Sequence, residues 1–349
     1  MKQQFNQEPW PINQIFIFSA TVLITLFLLK SASGIITPFL LSVAIAIMLS
    51  PIFTKLESNH IPKAVSLVVI ILLVLIPIIL LSGYVLDEAK DFAANYKTIK
   101  ENFIVTLHNF FATFQHIGIH VDDGKINMLL EKSNIGDLLK KLAFQARSQF
   151  SNLFLIMFMV AFMLMESKYF YNKMLKIADK NNMDKQLFIE ILDKVKSYFF
   201  IKFKTSLLTA LLVLTILWFF DVRYFYMWAV IAFFFNFIPV IGSILAAIPA
   251  VIFALLDHGI ASMLWVAFGY LSINIVIGNI LEPKIMGEGL GLSALVIFLS
   301  MTFWGWLFGP IGMILSAPMT MMAQYLFKQY RETEWIALML SDYKGDTNG

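Results

Sequence analysis

The chain has 349 residues, 59% of them hydrophobic and only 14% charged, with a mean hydropathy of +0.77. A soluble domain carries about 25% charged residues, so this composition describes a multi-span membrane protein. The net charge of +3 is too small to point to nucleic acid, and the absence of cysteine excludes disulfides, iron–sulfur clusters and thiolate zinc sites.

The first residues, MKQQFNQEPWPINQ, carry one lysine and two prolines and lead into an apolar run that lacks a convincing small-x-small cleavage site. That run is read as an uncleaved first span. A helical span needs about 20 mostly apolar residues. Runs of this kind predict spans at 14–29, 34–53, 64–86, 150–165, 206–220, 225–256, 261–281 and 292–327. Continuous apolar runs exclude barrel strands, so the predicted fold is all-α with about eight transmembrane helices.

Two polar stretches interrupt the spans. In 87–149, Phe92, Tyr96, Ile99, Phe103, Leu107, Phe110 and Phe114 fall at helical spacing opposite charged residues. This predicts an amphipathic helix that prolongs the third span beyond the membrane. HVDDGK then makes a turn, and a second amphipathic helix bearing Leu138, Leu139 and Leu142 leads back. The second stretch, 166–205, is lysine-rich along one face, as in a helix lying at the membrane surface. The expected division is N-terminal spans at 1–86, the insert at 87–149, a fourth span at 150–165, basic cytoplasmic helices at 166–205, a C-terminal core at 206–328 and a tail at 329–349. With the N-terminus in the cytoplasm, fifteen of the lysines and arginines outside the insert lie inside and three lie outside. The positive-inside rule therefore predicts both termini cytoplasmic and the insert outside.

The segments 225–256 and 292–327 are long for one span and short for two. Each carries a break near its middle, IPVIGS at 238–243 and FGPIGM at 308–313, and each has a later proline, Pro249 or Pro318. Proline removes an N–H and glycine lets the backbone bend. Freed backbone groups are tolerated at membrane depth only inside protein or along a wet cavity. Paired interrupted segments point to a transporter's binding site, which makes Asn236, Pro239, Gly242, Pro249, Gly309, Gly312 and Pro318 candidate path residues. Kinking for close packing is the competing reading. Each segment is open to two forms, a tilted broken span or a re-entrant hairpin.

Acidic and basic residues are sparse here. Between 224 and 281 only Asp257, beside His258, is acidic or basic, and between 289 and 327 there is none. Against that background Asn274 and Asn279 are candidates for polar contact with a substrate. Glu282 is a candidate for proton or sodium coupling, with Lys284 as its possible partner. The alternatives are an interfacial span end for Glu282 and Lys284, and helix–helix hydrogen bonds for the two asparagines. Asp221 and Arg223 read as a loop salt bridge. His108, His116, His120, Asp122 and Asp123 could ligate a metal, but Gly118 interrupts the histidine spacing and solvated histidines are the preferred reading, so neither metal nor cofactor is expected. There is no P-loop and no H-E-x-x-H. GLSA at 291–294 faintly resembles an intramembrane serine protease, yet no span supplies a histidine base, and no enzyme is expected.

Three ordered motifs, IPVIGSILAAIPA at 238–250, LEPKIMGEGLGLSALV at 281–296 and FGPIGMILSAP at 308–318, resemble those of the autoinducer-2 exporter family of bacterial inner-membrane permeases. Many members carry proline where this chain has Ser243 and Ala294. The resemblance highlights Pro239, Gly242, Pro249, Glu282, Pro283, Lys284, Gly287, Leu290, Gly291, Gly309, Gly312 and Pro318. It implies export of a small polar metabolite, with the quorum-sensing signal autoinducer-2 as the named candidate, and a homo-oligomer, with a pentamer as the suggested state. Some relatives are linked instead to sodium/proton exchange, so an antiporter titrating at Glu282 is the alternative, and a non-transporting membrane scaffold is a third.

Overall fold

A computed structural model describes residues 12–114, 135–180, 185–239, 241–286 and 291–342. These form helices α1 (Ile12–Ser31), α2 (Ser33–Ser58), α3 (Lys63–Phe114), α4 (Ile135–Lys180), α5 (Lys185–Phe219), α6 (Phe225–Phe235), α7 (Gly242–Ile273), a π-helical segment (Asn274–Leu281), α8 (Glu282–Met286), α9 (Ala294–Ile314), α10 (Ser316–Lys328) and α11 (Glu334–Leu340). The protein is an all-α polytopic membrane protein. Six described helical segments are long and apolar enough to cross a bilayer, and α1 and α6 contribute shorter apolar stretches. Much of the apolar surface faces outward, as a lipid solvent requires, including Phe16, Leu73, Phe154, Trp218 and Trp265.

α3 runs unbroken from its apolar half into the charged stretch expected to leave the membrane. α4 brings the chain back as one continuous helix. The HVDDGK turn and the stretch with His116, His120, Asp122 and Asp123 lie outside the described residues. α2, α3 and α4 share one core of Ala46, Leu49, Phe53, Ile70, Ile156, Val160 and Leu164. Buried Ser42 lets α2 approach α4 closely, donating to the Pro38 carbonyl at 2.7 Å and the Ile156 carbonyl at 3.3 Å.

α5 organises the C-terminal half. Its buried residues recur every three or four positions from Phe188 to Leu217. The end bearing Val213 and Leu217 packs against α6 and α7. The end bearing Phe188, Ile191 and Val195 packs against α10, through Ala317, Met321 and Tyr325.

Both broken segments fold back on themselves. Arg223, just before α6, donates to the Asp257 carboxylate through its backbone N–H at 2.9 Å and its Nε at 2.5 Å. The chain between them therefore enters and returns at one face. Similarly, Gln324 Nε2 of α10 donates to the carbonyl of Gly291, which precedes α9, at 3.3 Å, and Asp342 N–H reaches the same carbonyl. The first hairpin opens beside the C-terminal end of α5. The second opens near its N-terminal end, where the Phe188 and Tyr325 rings lie 6.0 Å apart. The two hairpins thus open toward opposite ends of α5.

Candidate functional site

The tip of the first hairpin is built by its sequence. α6 has only 11 residues, roughly 16 Å of helix, about half the hydrocarbon thickness. Beyond it Ile238 N–H bonds the Phe235 carbonyl at 2.8 Å and Ile241 N–H bonds the Pro239 carbonyl at 2.7 Å, closing a tight turn. A Cβ on Gly242 would collide with the Phe235 carbonyl, so only glycine lets α7 start there. After His258 the chain turns at Gly259 (φ 79°, ψ −167°), in a backbone region open only to glycine. The rest of α7 returns past the tip.

The tip is pinned on two sides. Asn236 Nδ2 donates to Ser206 Oγ of α5 at 2.9 Å. Ser243 Oγ donates to Asn274 Oδ1, the first residue of the π-helical segment, at 2.8 Å. A proline at this position could not make that bond. Between these contacts lies a cavity of about 10 Å³ whose lining includes Thr209, Asn236, Ser243, Tyr270, Asn274 and Gly278. The Thr209 and Tyr270 hydroxyls are buried and have no hydrogen-bond partner among the described residues. A space of this size holds about one water. The arrangement can offer donors and acceptors to a small polar molecule, but only after it widens.

Tyr270, Asn274, Gly278 and Glu282 follow one another at four-residue steps toward the end of the π-helical segment, a backbone form frequent at functional sites. There Glu282 Oε1 lies 2.6 Å from Lys202 Nζ of α5, with the two side chains 13% and 9% exposed. Lys284, the partner suggested by the sequence, is exposed. Lys202 was grouped by sequence with the surface lysines. In the structure it lies on the buried face of α5, one turn before Ser206 and two before Thr209, whereas Lys204 is exposed over the Phe200 ring. The signal that could have separated them is spacing: Tyr198, Lys202, Ser206 and Thr209 share one helical face.

The other candidates fall elsewhere. Pro249 lies inside α7 and does not line the cavity, and Asn279 is exposed. Gly309, Gly312 and buried Pro318 belong to the second hairpin. Its turn repeats the device of the first: a Cβ on Gly312 would collide with the Trp304 carbonyl, and Gly309 holds φ 68°, ψ −152°. Trp304 Nε1 donates across that hairpin to Thr320 Oγ1 at 3.0 Å. Ser293 of the protease-like GLSA accepts from Val296 N–H as the helix cap of α9. Ala294, the other departure from the family pattern, is the first residue of that helix, where proline is also at home. Gly287 and Leu290 lie outside the described residues.

At the mouth of the first hairpin, Arg223 pairs with Asp257 rather than with Asp221, whose carbonyl oxygen lies 3.0 Å from His258 Nε2. Tyr224 donates to Asp91 of α3 at 2.8 Å, and Glu88 accepts from the Met227 N–H at 2.7 Å. Partial burial, then the bond to Asp91, pushes the Tyr224 phenol up to about 12, and the hydrogen bond to Asp257 raises Arg223. Three carboxylates thus fasten the entry of α6 to α3 and α7.

The profile of the AI-2E family of transporters matches residues 15–332. The AI-2 transport protein TqsA of Escherichia coli is 33% identical over 329 residues, covering 94% of this chain and 96% of the relative. A Haemophilus influenzae protein named for transport without a substrate is 34% identical over 330 residues, 93% of this chain and 94% of its own. The transport protein YhhT of Escherichia coli is 27% identical over 326 residues, 93% of each chain. These matches identify the chain as a member of the AI-2E family of transporters.

Proposed function

We propose that this protein exports a small, uncharged polar metabolite across the bacterial inner membrane, by a path through the site between the first hairpin, α5 and the π-helical segment. The candidate substrate is autoinducer-2, the signal in the name of the Escherichia coli relative. The observation that carries this reading is the convergence of Thr209, Asn236, Ser243, Tyr270 and Asn274 on one small space, two of them with buried hydroxyls that have no partner among the described residues. Buried polar groups are ordinarily satisfied, and a hydroxyl-rich solute would satisfy these. Glu282, already neutralised by Lys202, fits a path for an uncharged solute better than the titrating centre of a cation/proton antiporter. The wider reading includes cytoplasmic termini, the 87–149 insert outside, and assembly as a homo-oligomer, with a pentamer as the candidate.

The test is efflux of labelled autoinducer-2 from proteoliposomes. Asn274→Ala removes one hydrogen-bonding group from the site and should raise the half-saturating concentration about tenfold, since one polar contact contributes roughly 1 to 1.5 kcal/mol. Efflux unchanged by Asn274→Ala and by Tyr270→Phe would move the path elsewhere.

A further inference from the structure

The structure pairs a lysine with the carboxylate that the sequence marks as the candidate for cation coupling. Glu282 and Glu288 are the carboxylates between Asp257 and Glu332, and Glu288 lies outside the described residues. Glu282 Oε1 is 2.6 Å from the Lys202 ammonium, and both groups are nearly enclosed. A buried carboxylate needs a compensating charge, and lysine supplies it as a compact point cation on a flexible stem. Tyr198 lies one turn from Lys202 on the same face of α5, 2% exposed, with a hydroxyl that has no hydrogen-bond partner among the described residues. The carboxylate and the hydroxyl are oxygen groups of the kind a small monovalent cation takes, and the Lys202 ammonium stands against the carboxylate where such an ion would stand.

We infer that Lys202 is a tethered substitute for a coupling cation. Sodium does not bind at Glu282 in the wild-type protein, and removing the ammonium opens a seat that a cation of sodium's size fills. The inference goes beyond the substrate reading and does not depend on it, because its test involves Glu282 and cations alone.

The experiment compares wild type, Lys202→Met and the double variant Lys202→Met/Glu282→Gln, each purified as the full chain in detergent. Each is prepared in sodium chloride and in N-methylglucamine chloride at equal ionic strength. The wild type and the double variant should melt at the same temperature in both salts. Lys202→Met should melt lower in N-methylglucamine and recover selectively in sodium. The recovery should be about 5 °C when sodium stands about a hundredfold above its dissociation constant. If Lys202→Met can be recovered as a monodisperse protein only in sodium, the seat is also supported. Equally poor recovery in both salts overturns it, as does a melting temperature no more sensitive to sodium than that of the double variant. Saturable stabilisation of the wild type by sodium that Glu282→Gln abolishes would also overturn it, by placing an ion beside Lys202 rather than in its stead.

Discussion

Single residues set the backbone geometry of this site. Gly242 and Gly312 occupy equivalent places, each packed against the last carbonyls of the incoming helix, where a methyl group has no room. Gly242→Ala and Gly312→Ala should each cost about 3 kcal/mol or more, as overpacking against backbone does. Gly259→Ala meets no neighbour but must hold φ 79°, and should cost about 1–3 kcal/mol through strain alone. Gly34 meets no neighbour and has no such φ, so Gly34→Ala should be neutral or slightly stabilising. Unfolding in mixed micelles would rank the four, and a Gly242→Ala variant as stable as Gly34→Ala would contradict the packed tip. Tyr224 supplies a pH test. Its phenol is near 10 when unfolded and pushed up to about 12 when folded. The folded state therefore holds the proton more tightly, so its stability is intact below pH 10 and declines as pH rises toward 12. Tyr224→Phe should lose less stability than wild type across that window, measured by thermal melts at stepped pH.

At the scale of elements, the two hairpins were legible where local chemistry dictates them. Pro239 with Gly242, and Gly309 with Gly312, announced breaks at 238–243 and 308–313, and the structure breaks there. The amphipathic spacing from Phe92 onward announced the extension of α3. The fold-back was not legible, because a segment that returns to its own side leaves the charge balance of the loops unchanged. The contacts of Arg223 with Asp257 and of Gln324 with Gly291 show it. The π-helical segment has no compositional signature, since it adds a residue per turn without changing residue types. Lys202 was hidden for a different reason: Lys204 stands two positions away with the same charge and the opposite environment. Within the first hairpin, Ser243 lies in the opening turn of α7, where a helix N–H has no intrahelical acceptor. Ser243→Pro should therefore keep its melting temperature within about 2 °C of wild type while removing the donor to Asn274. The expected signature is an altered half-saturating concentration without loss of folded protein. A collapse in stability instead would show that the Ser243 to Asn274 bond holds the tip in place.

Considered as a whole, the molecule places one hairpin at each end of α5, opening in opposite directions, with a polar site where the first tip meets α5 and the π-helical segment. At about 10 Å³ the cavity is too small for a metabolite, so passage along the proposed path would require the first hairpin to part from α5. The hydrogen bond between Asn236 and Ser206 marks the contact that must open. The chain contains no cysteine, which makes that contact addressable. The most direct measurement is autoinducer-2 efflux from proteoliposomes holding the Ser206→Cys/Asn236→Cys variant, before and after a short reducible bis-methanethiosulfonate linker joins the two thiols, and again after reduction. Protein-dependent efflux that falls about tenfold or more on linking and returns on reduction is the expected result. Efflux that is the same in the linked and reduced states, or no efflux above that of empty vesicles in the wild type, would contradict it.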